Sequence, residues 1–233
     1  MKSDFLKGMS HGVPISLGYL SVSFGFGIKA VGAGLSALSA SIISATNLTS
    51  AGQVAGVDII AVGGSLIEMI LVQLTINIRY SLMALSLSQK LDRKFNFFHR
   101  LIASYGITDE IFAVCSAQKQ KLTSYYMYGM IFISAVGWVL GTVLGAVAGQ
   151  LLPEAVSSAM GIVLYGMFMA VIIPPSRRQK SVFAVVVISA LASILFRYVL
   201  TAVSSGFAII ICAVVASVVG AFIFPVADEE GEK

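Results

Sequence analysis

The stretch Leu122–Pro153, LTSYYMYGMIFISAVGWVLGTVLGAVAGQLLP, contains no Asp, Glu, Lys or Arg. A helix needs about 20 predominantly apolar residues to cross a bilayer, and this run exceeds that length. Ala30–Val57, Ala155–Ser176 and Tyr198–Ala227 are also uncharged and long enough. Ser181–Phe196 becomes so if Arg197 sits near a helix end or faces the interior. The runs are continuous, whereas barrel strands alternate apolar and polar positions. In lipid, a continuous apolar segment satisfies its own backbone only as a helix. The expected fold is an all-α, polytopic transmembrane helix bundle.

Composition agrees. Charged residues make up 11% of the chain and hydrophobic ones 58%, against about 25% charged in soluble domains. The mean hydropathy is +0.94. The net charge of +4 does not point to nucleic acid, because the basic residues cluster in the loops, where the positive-inside rule wants them. Cys115 and Cys212 lie in apolar surroundings and read as small packing residues. His11 and His99 sit near segment ends and support no metal site. A Ser-His pair, a His-rich metal motif and a nucleotide loop are all absent from the sequence, so the expectation is a chain that is not an enzyme and needs no cofactor. The start, Met1 to Gly8, lacks the short apolar core and small-residue cleavage site of a signal peptide; the first span simply follows it.

Eight hydrophobic segments can be marked, at 12–31, 36–57, 60–88, 101–118, 123–149, 156–175, 181–200 and 205–225. They form one domain, 1–233, with an acidic tail at 227–233 expected to be disordered. Two segments are weak: 36–57 carries small polar residues from Ser44 to Gln53, and 101–118 is interrupted by Tyr105-Gly106-Ile107-Thr108-Asp109-Glu110. Such residues compete with the helical ladder, so each segment is expected to be discontinuous or re-entrant. Lys119, Lys121, Arg177, Arg178 and Lys180 mark a cytoplasmic face, as do Lys2 and Lys7 for the N-terminus; both termini are expected inside. If both weak segments cross, there are eight spans and Lys90, Arg93 and Lys94 fall outside, against the rule. If both are re-entrant, six spans remain and that loop moves inside. The sequence leaves both open.

Three polar clusters are candidates for chemistry. In Thr46 to Gln53, an unwound helix would restart near Thr49 or Ser50. Its free N–H groups and positive dipole end suit a carboxylate, with Gln53 adding side-chain donors. The plainer alternative is that the Ser and Thr hydroxyls bond back to helix carbonyls. On 60–88, Glu68, Thr75 and Arg79 share one helical face, and Gln73, Asn77 and Tyr80 another. Charged groups facing lipid are costly, so both stripes should face protein or a water-filled cavity, unless Arg79 snorkels to the membrane boundary. Glu68 and Arg79 are three turns apart, about 16 Å, too far to pair. The third cluster, Thr108-Asp109-Glu110, offers adjacent acids as proton carriers, because a carboxyl withdrawn from water holds its proton more readily. The alternative is a capped helix start, with Thr108 as N-cap. Separately, Gly137, Gly141, Gly145 and Gly149 form a strip that lets another helix approach closely, from the same chain or from a partner.

Three motifs, in order and in segment context, carry a resemblance: Ala51-Gly52-Gln53, Asn77-Ile78-Arg79-Tyr80, and Thr108-Asp109-Glu110 followed by Phe112. From Gly12 to about Arg197 the chain resembles the AzlC family, the large subunit of branched-chain amino acid exporters. Tyr80 stands where the family usually has histidine, which argues against a proton role there. The resemblance implies ion-driven export of leucine, isoleucine, valine and similar amino acids across the bacterial cytoplasmic membrane, with a small AzlD-type membrane subunit as partner. Substrate contacts are then expected from Asn47, Thr49, Ser50, Gly52, Gln53, Asn77 and Arg79. Coupling is expected from Glu68, Asp109 and Glu110. The competing expectation is a membrane scaffold or accessory subunit, whose polar clusters would pack together without lining a cavity.

Overall fold

The computed structural model of the chain describes residues 2–149 and 153–225, so the acidic tail lies outside the described residues. The described secondary structure is helical apart from one isolated bridge. The helices are α1 (Lys2–Gly32), α2 (Ala37–Thr46), α3 (Ser50–Ala61), α4 (Leu66–Ser88), α5 (Phe97–Tyr105), α6 (Asp109–Ala117), α7 (Ser124–Ala148), α8 (Glu154–Arg178), α9 (Lys180–Tyr198) and α10 (Ser205–Ile223). Five of them, α1, α4, α7, α9 and α10, are long and apolar enough to cross a membrane by length and composition. The chain is therefore a polytopic helical bundle.

Helices α1 and α7 form its spine. They run parallel, Gly8 beside Tyr126 at one end and Gly145 beside Phe24 towards the other. The glycine strip makes this possible. A β-carbon on Gly137 would strike Ser16, one on Gly141 would strike Leu20 and Ser23, and one on Gly145 would strike the Phe24 carbonyl. On the facing helix, Gly8 and Gly27 are crowded by the α7 backbone, and Gly12 by the Ile133 side chain and the Met130 carbonyl. Between helices in lipid, close packing of this kind supplies the attraction that apolar burial supplies in water. The strip is thus occupied by α1 of the same chain. Trp138, Tyr19, Phe26, Met127 and Met130 bury around this contact.

The two weak segments are both broken, and both turn back. Segment 36–57 becomes α2 and α3, separated at Asn47–Thr49. The pair is a hairpin: Gln53 Nε2 on α3 donates to Ser44 Oγ on α2 at 3.3 Å. Its mouth is closed by an ion pair, with Lys29 Nζ near the end of α1 lying 2.7 Å from Asp58 Oδ1 near the end of α3. A tight turn through Gly63, at φ +66° where L side chains are strained, then starts α4 with Ser65 as N-cap. Segment 101–118 becomes α5 and α6, separated at Gly106–Thr108. Its mouth is closed by backbone pairing, Asp92 N–H to Leu122 O and Leu122 N–H to Lys90 O, each 2.9 Å. Lys90 Nζ also reaches the Ser116 and Gln118 carbonyls. Each hairpin leaves the bundle at the end where it came in. The α2–α3 pair enters from the end where α1 and α7 finish, and the α5–α6 pair from the end where they begin. At this second end Lys121 Nζ likewise donates to the Gln89 carbonyl at 2.8 Å, so the basic segments on both sides of the α5–α6 hairpin lie together.

Candidate functional site

The tips of the two hairpins meet near the middle of the bundle. Tyr105 at the end of α5 donates its hydroxyl to the Ala45 carbonyl of α2 at 2.8 Å. Beside this contact a cavity of about 270 Å³ is lined by Thr46, Asn47 and Thr49 from one tip, Ser104, Tyr105 and Ile107 from the other, and Asn77 and Tyr80 of α4. A smaller pocket of about 10 Å³, room for roughly one water, lies between Ser50 and the residues Thr108, Asp109 and Glu110. Tyr19, Tyr80 and Trp138 complete its wall.

Tip one is held from both sides. Thr49 N–H donates to Asn47 Oδ1 at 2.8 Å, an Asx turn that starts α3 at Ser50. The Thr49 hydroxyl does not cap the helix; it donates to Asn77 Oδ1 at 2.6 Å. The first-turn N–H groups of α3 have no intrahelical partners, and with the dipole they make a positive end facing the small pocket. On α4, Asn77 Nδ2 donates to Gln73 Oε1 at 3.0 Å and Gln73 Nε2 to the Gly52 carbonyl at 2.8 Å. Gly52 is required here, since a β-carbon would meet Gln73 Oε1 and Thr49. From the other side, Trp138 Nε1 donates to Gln53 Oε1 at 2.9 Å.

Gln53 differs from its sequence reading. It is only 2% exposed, and its amide donates to Asn47 O at 2.9 Å and to Ser44. Its donors hold the break closed instead of facing the cavity. Ser44 passes the contact on to Thr142 at 2.7 Å.

Tip two begins α6 with Thr108 as N-cap, its hydroxyl accepting from Ile111 N–H at 3.4 Å. The helix-cap alternative is therefore what the structure shows at Thr108. Asp109 Oδ2 lies 2.7 Å from Arg79 Nη1. Glu110 Oε2 lies 2.6 Å from the Tyr19 hydroxyl, which is also 2.6 Å from Thr108 Oγ1; the single phenol proton serves one of them at a time. Arg79 does not snorkel away. Its guanidinium lies over the Tyr80 ring at 4.9 Å and donates to the Tyr80 hydroxyl at 3.3 Å, which in turn donates to Thr49 Oγ1 at 3.3 Å. The two α4 stripes thus converge on the tips through Arg79, Tyr80, Asn77 and Gln73, while Thr75 bonds back to the Leu71 carbonyl.

Glu68 lies apart from this site. It is buried and accepts hydrogen bonds from Ser204 and Gly206 at the start of α10. The sequence reading missed Tyr19, Trp138 and the Lys29–Asp58 pair. The last had a signal, since these two charges flank the uncharged run Ala30–Val57. A larger cavity of about 590 Å³ between α9 and α10 is lined by Ser193, Arg197, Thr201 and Cys212 and includes no hairpin residue.

A membrane bundle in which two broken hairpins meet tip to tip is the class that fold and site define. The family model described as AzlC protein matches residues 14–152, the part of the chain that holds both hairpins. This chain belongs to the AzlC family. It is 28% identical to inner membrane protein YgaZ of Escherichia coli K12, over 94% of this chain and 92% of that one. An uncharacterised membrane protein of Archaeoglobus fulgidus is 32% identical over 73% of this chain and 75% of its own length, and one of Helicobacter pylori J99 is 28% identical over 63% and 67%. No solved structure matches the chain.

Proposed function

We propose that the chain is a secondary transporter that exports branched-chain or related hydrophobic amino acids across the cytoplasmic membrane, driven by an ion gradient and working with a small AzlD-type membrane subunit. One observation carries this reading. The positive start of α3 at Ser50 and the acids Asp109 and Glu110 line the same small pocket from opposite hairpins. An amino acid zwitterion needs that pairing, with amide N–H groups for its carboxylate and carboxylates for its ammonium group. Ser50, Gly52, Thr49 and Asn47 then supply the carboxylate side, and Asn77 and Arg79 the polar wall from α4. An apolar groove of about 440 Å³, lined by Ala45, Phe132, Val136 and Leu140, shares Tyr105 with the larger tip cavity and suits a branched aliphatic side chain.

The pocket between the tips is too small for a substrate in this conformation. Separating the two hairpins would enlarge it, and because they enter from opposite ends, opening either one would expose it to one side only. In this reading the chain has six spans and two re-entrant hairpins, an arrangement the positive-inside rule supports because it keeps the Lys90–Lys94 loop on the cytoplasmic face with the N-terminus. Asp109 and Glu110 are the acids placed to couple an ion or proton to substrate.

Flux measured in proteoliposomes, with and without a small partner subunit, tests the reading. Leucine, isoleucine or valine should move against its own gradient when an ion gradient is imposed. Protein that is correctly inserted with its partner and moves none of them would refute the proposal.

A further inference from the structure

We propose that Glu68 is a positioning residue: its carboxylate fastens the start of α10 to the α3–α4 corner and so holds α3, whose first turn faces the tip pocket. Glu68 is only 4% exposed and sits in the first turn of α4, its own N–H held by Ser65 Oγ at 3.1 Å. One oxygen, Oε1, accepts from Ser204 Oγ at 2.5 Å and from Gly206 N–H at 3.0 Å. Ser204 is the N-cap of α10, so a single carboxylate lies at the positive ends of two helices, where a negative charge is favoured. The fit is close. A β-carbon on Gly206 would strike the Glu68 carboxylate, and one on Gly64 would come within 3.1 Å of Oε2.

The same corner carries a small separate core. Ala55 and Ile59 of α3 and Val72 of α4 are buried together, with Ile210 of α10 packed against them. Helix α9 contributes no buried residue and packs against α8, while α10 meets α3 and α4 through the Glu68 contact and this core. Losing the carboxylate frees the α10 start and with it the outer wall of α3. This differs from a proton-carrying role, because the latch needs an acceptor atom and a fit but no proton exchange.

Trp138 is the only tryptophan and donates to Gln53 on α3, so its emission reports whether α3 is seated, without any transport measurement. The full chain, purified in nanodiscs, is compared with Glu68→Gln, Glu68→Leu, Gly206→Val and Ser204→Ala. Glutamine keeps an acceptor oxygen but loses the charge, so Glu68→Gln should retain wild-type emission with only a small fall in melting temperature, and transport within about twofold. Glu68→Leu and Gly206→Val should red-shift Trp138, lower the melting temperature and cut transport about tenfold or more, as expected when a hydrogen-bonded charged group is lost. Ser204→Ala removes one of the two bonds and tests the latch even if the bulkier variants fail to fold; it should shift emission and melting in the same direction. Unchanged emission and melting in Ser204→Ala overturns the proposal. So does a Glu68→Gln variant that keeps its emission but loses uphill transport, which marks a proton carrier. The transport arm rests on the tip pocket being the transport site; if that reading fails, the emission and melting arms still decide.

Discussion

Arg79 and Asp109 form an ion pair, 2.7 Å from nitrogen to oxygen, that ties the middle of α4 to the first turn of α6. Both side chains are about one-third exposed, 39% and 32%, and a pair in that setting contributes roughly 0–1 kcal/mol to stability. Its importance is positional. It brings a cation to the edge of the pocket in which the two hairpin tips face each other.

Arg79→Gln and Asp109→Asn should therefore leave melting of the purified protein nearly unchanged while cutting flux about tenfold or more, the effect of 1.4 kcal/mol or greater in a binding step. Exchanging the two residues should restore part of the flux. Full transport by both single variants would remove the pair from the site.

Gln53 should behave in the opposite way. Gln53→Leu removes its bonds to Asn47, Ser44 and Trp138 and leaves buried polar atoms unsatisfied, at about 1–3 kcal/mol each. The melting temperature should fall by several degrees and Trp138 emission should change. Trp138→Phe, losing one of those bonds, should produce a smaller fall. A Gln53→Leu protein with wild-type melting would show that the break in α2–α3 does not depend on this amide.

For the glycine strip, Gly141→Leu or Gly145→Leu forces a side chain into the α1 backbone. Overpacking typically costs 1–3 kcal/mol or more, and here the obstacle is main chain, so folded protein should be lost at the expression stage. A stable chain that merely loses a copurifying partner would mean that the strip serves an intermolecular contact.

Glu110 and Asp109 can be separated by transport mode. Replacing the coupling acid by its amide should abolish uphill flux in proteoliposomes and spare substrate-for-substrate exchange. Uphill flux retained by the Asp109→Asn, Glu110→Gln double variant would leave the two acids as a helix start and nothing more.

The helical membrane fold was legible in the uncharged runs, and both helix breaks in the short polar residues at Asn47–Thr49 and Gly106–Thr108. Local chemistry writes such breaks directly into sequence. The direction of the chain after each break was not legible. It is set by contacts between distant residues, Lys29 with Asp58 and Leu91 with Leu122, and the sequence left an eight-span and a six-span topology open, only the second of them in line with the positive-inside rule. Arg79 and Asp109 were both singled out, but their pairing depends on hairpin geometry. Tyr19 and Trp138 went unnoticed because an aromatic in an apolar run looks like packing until its polar atom is placed. Glu68 stood out as a buried acid, yet its partners lie on α10, far along the chain.

Substrate protection of the hairpin tips tests the central claim most directly. In a Cys115→Ala, Cys212→Ala background, Ser50→Cys and Thr108→Cys are labelled with a small water-soluble thiol reagent, with and without leucine. Leucine should slow labelling at both positions, whereas lysine should not, and a control cysteine at Lys94 should be indifferent to either. Labelling of Ser50→Cys and Thr108→Cys at rates that leucine leaves unchanged, in protein that transports leucine, would contradict the tips as the substrate site.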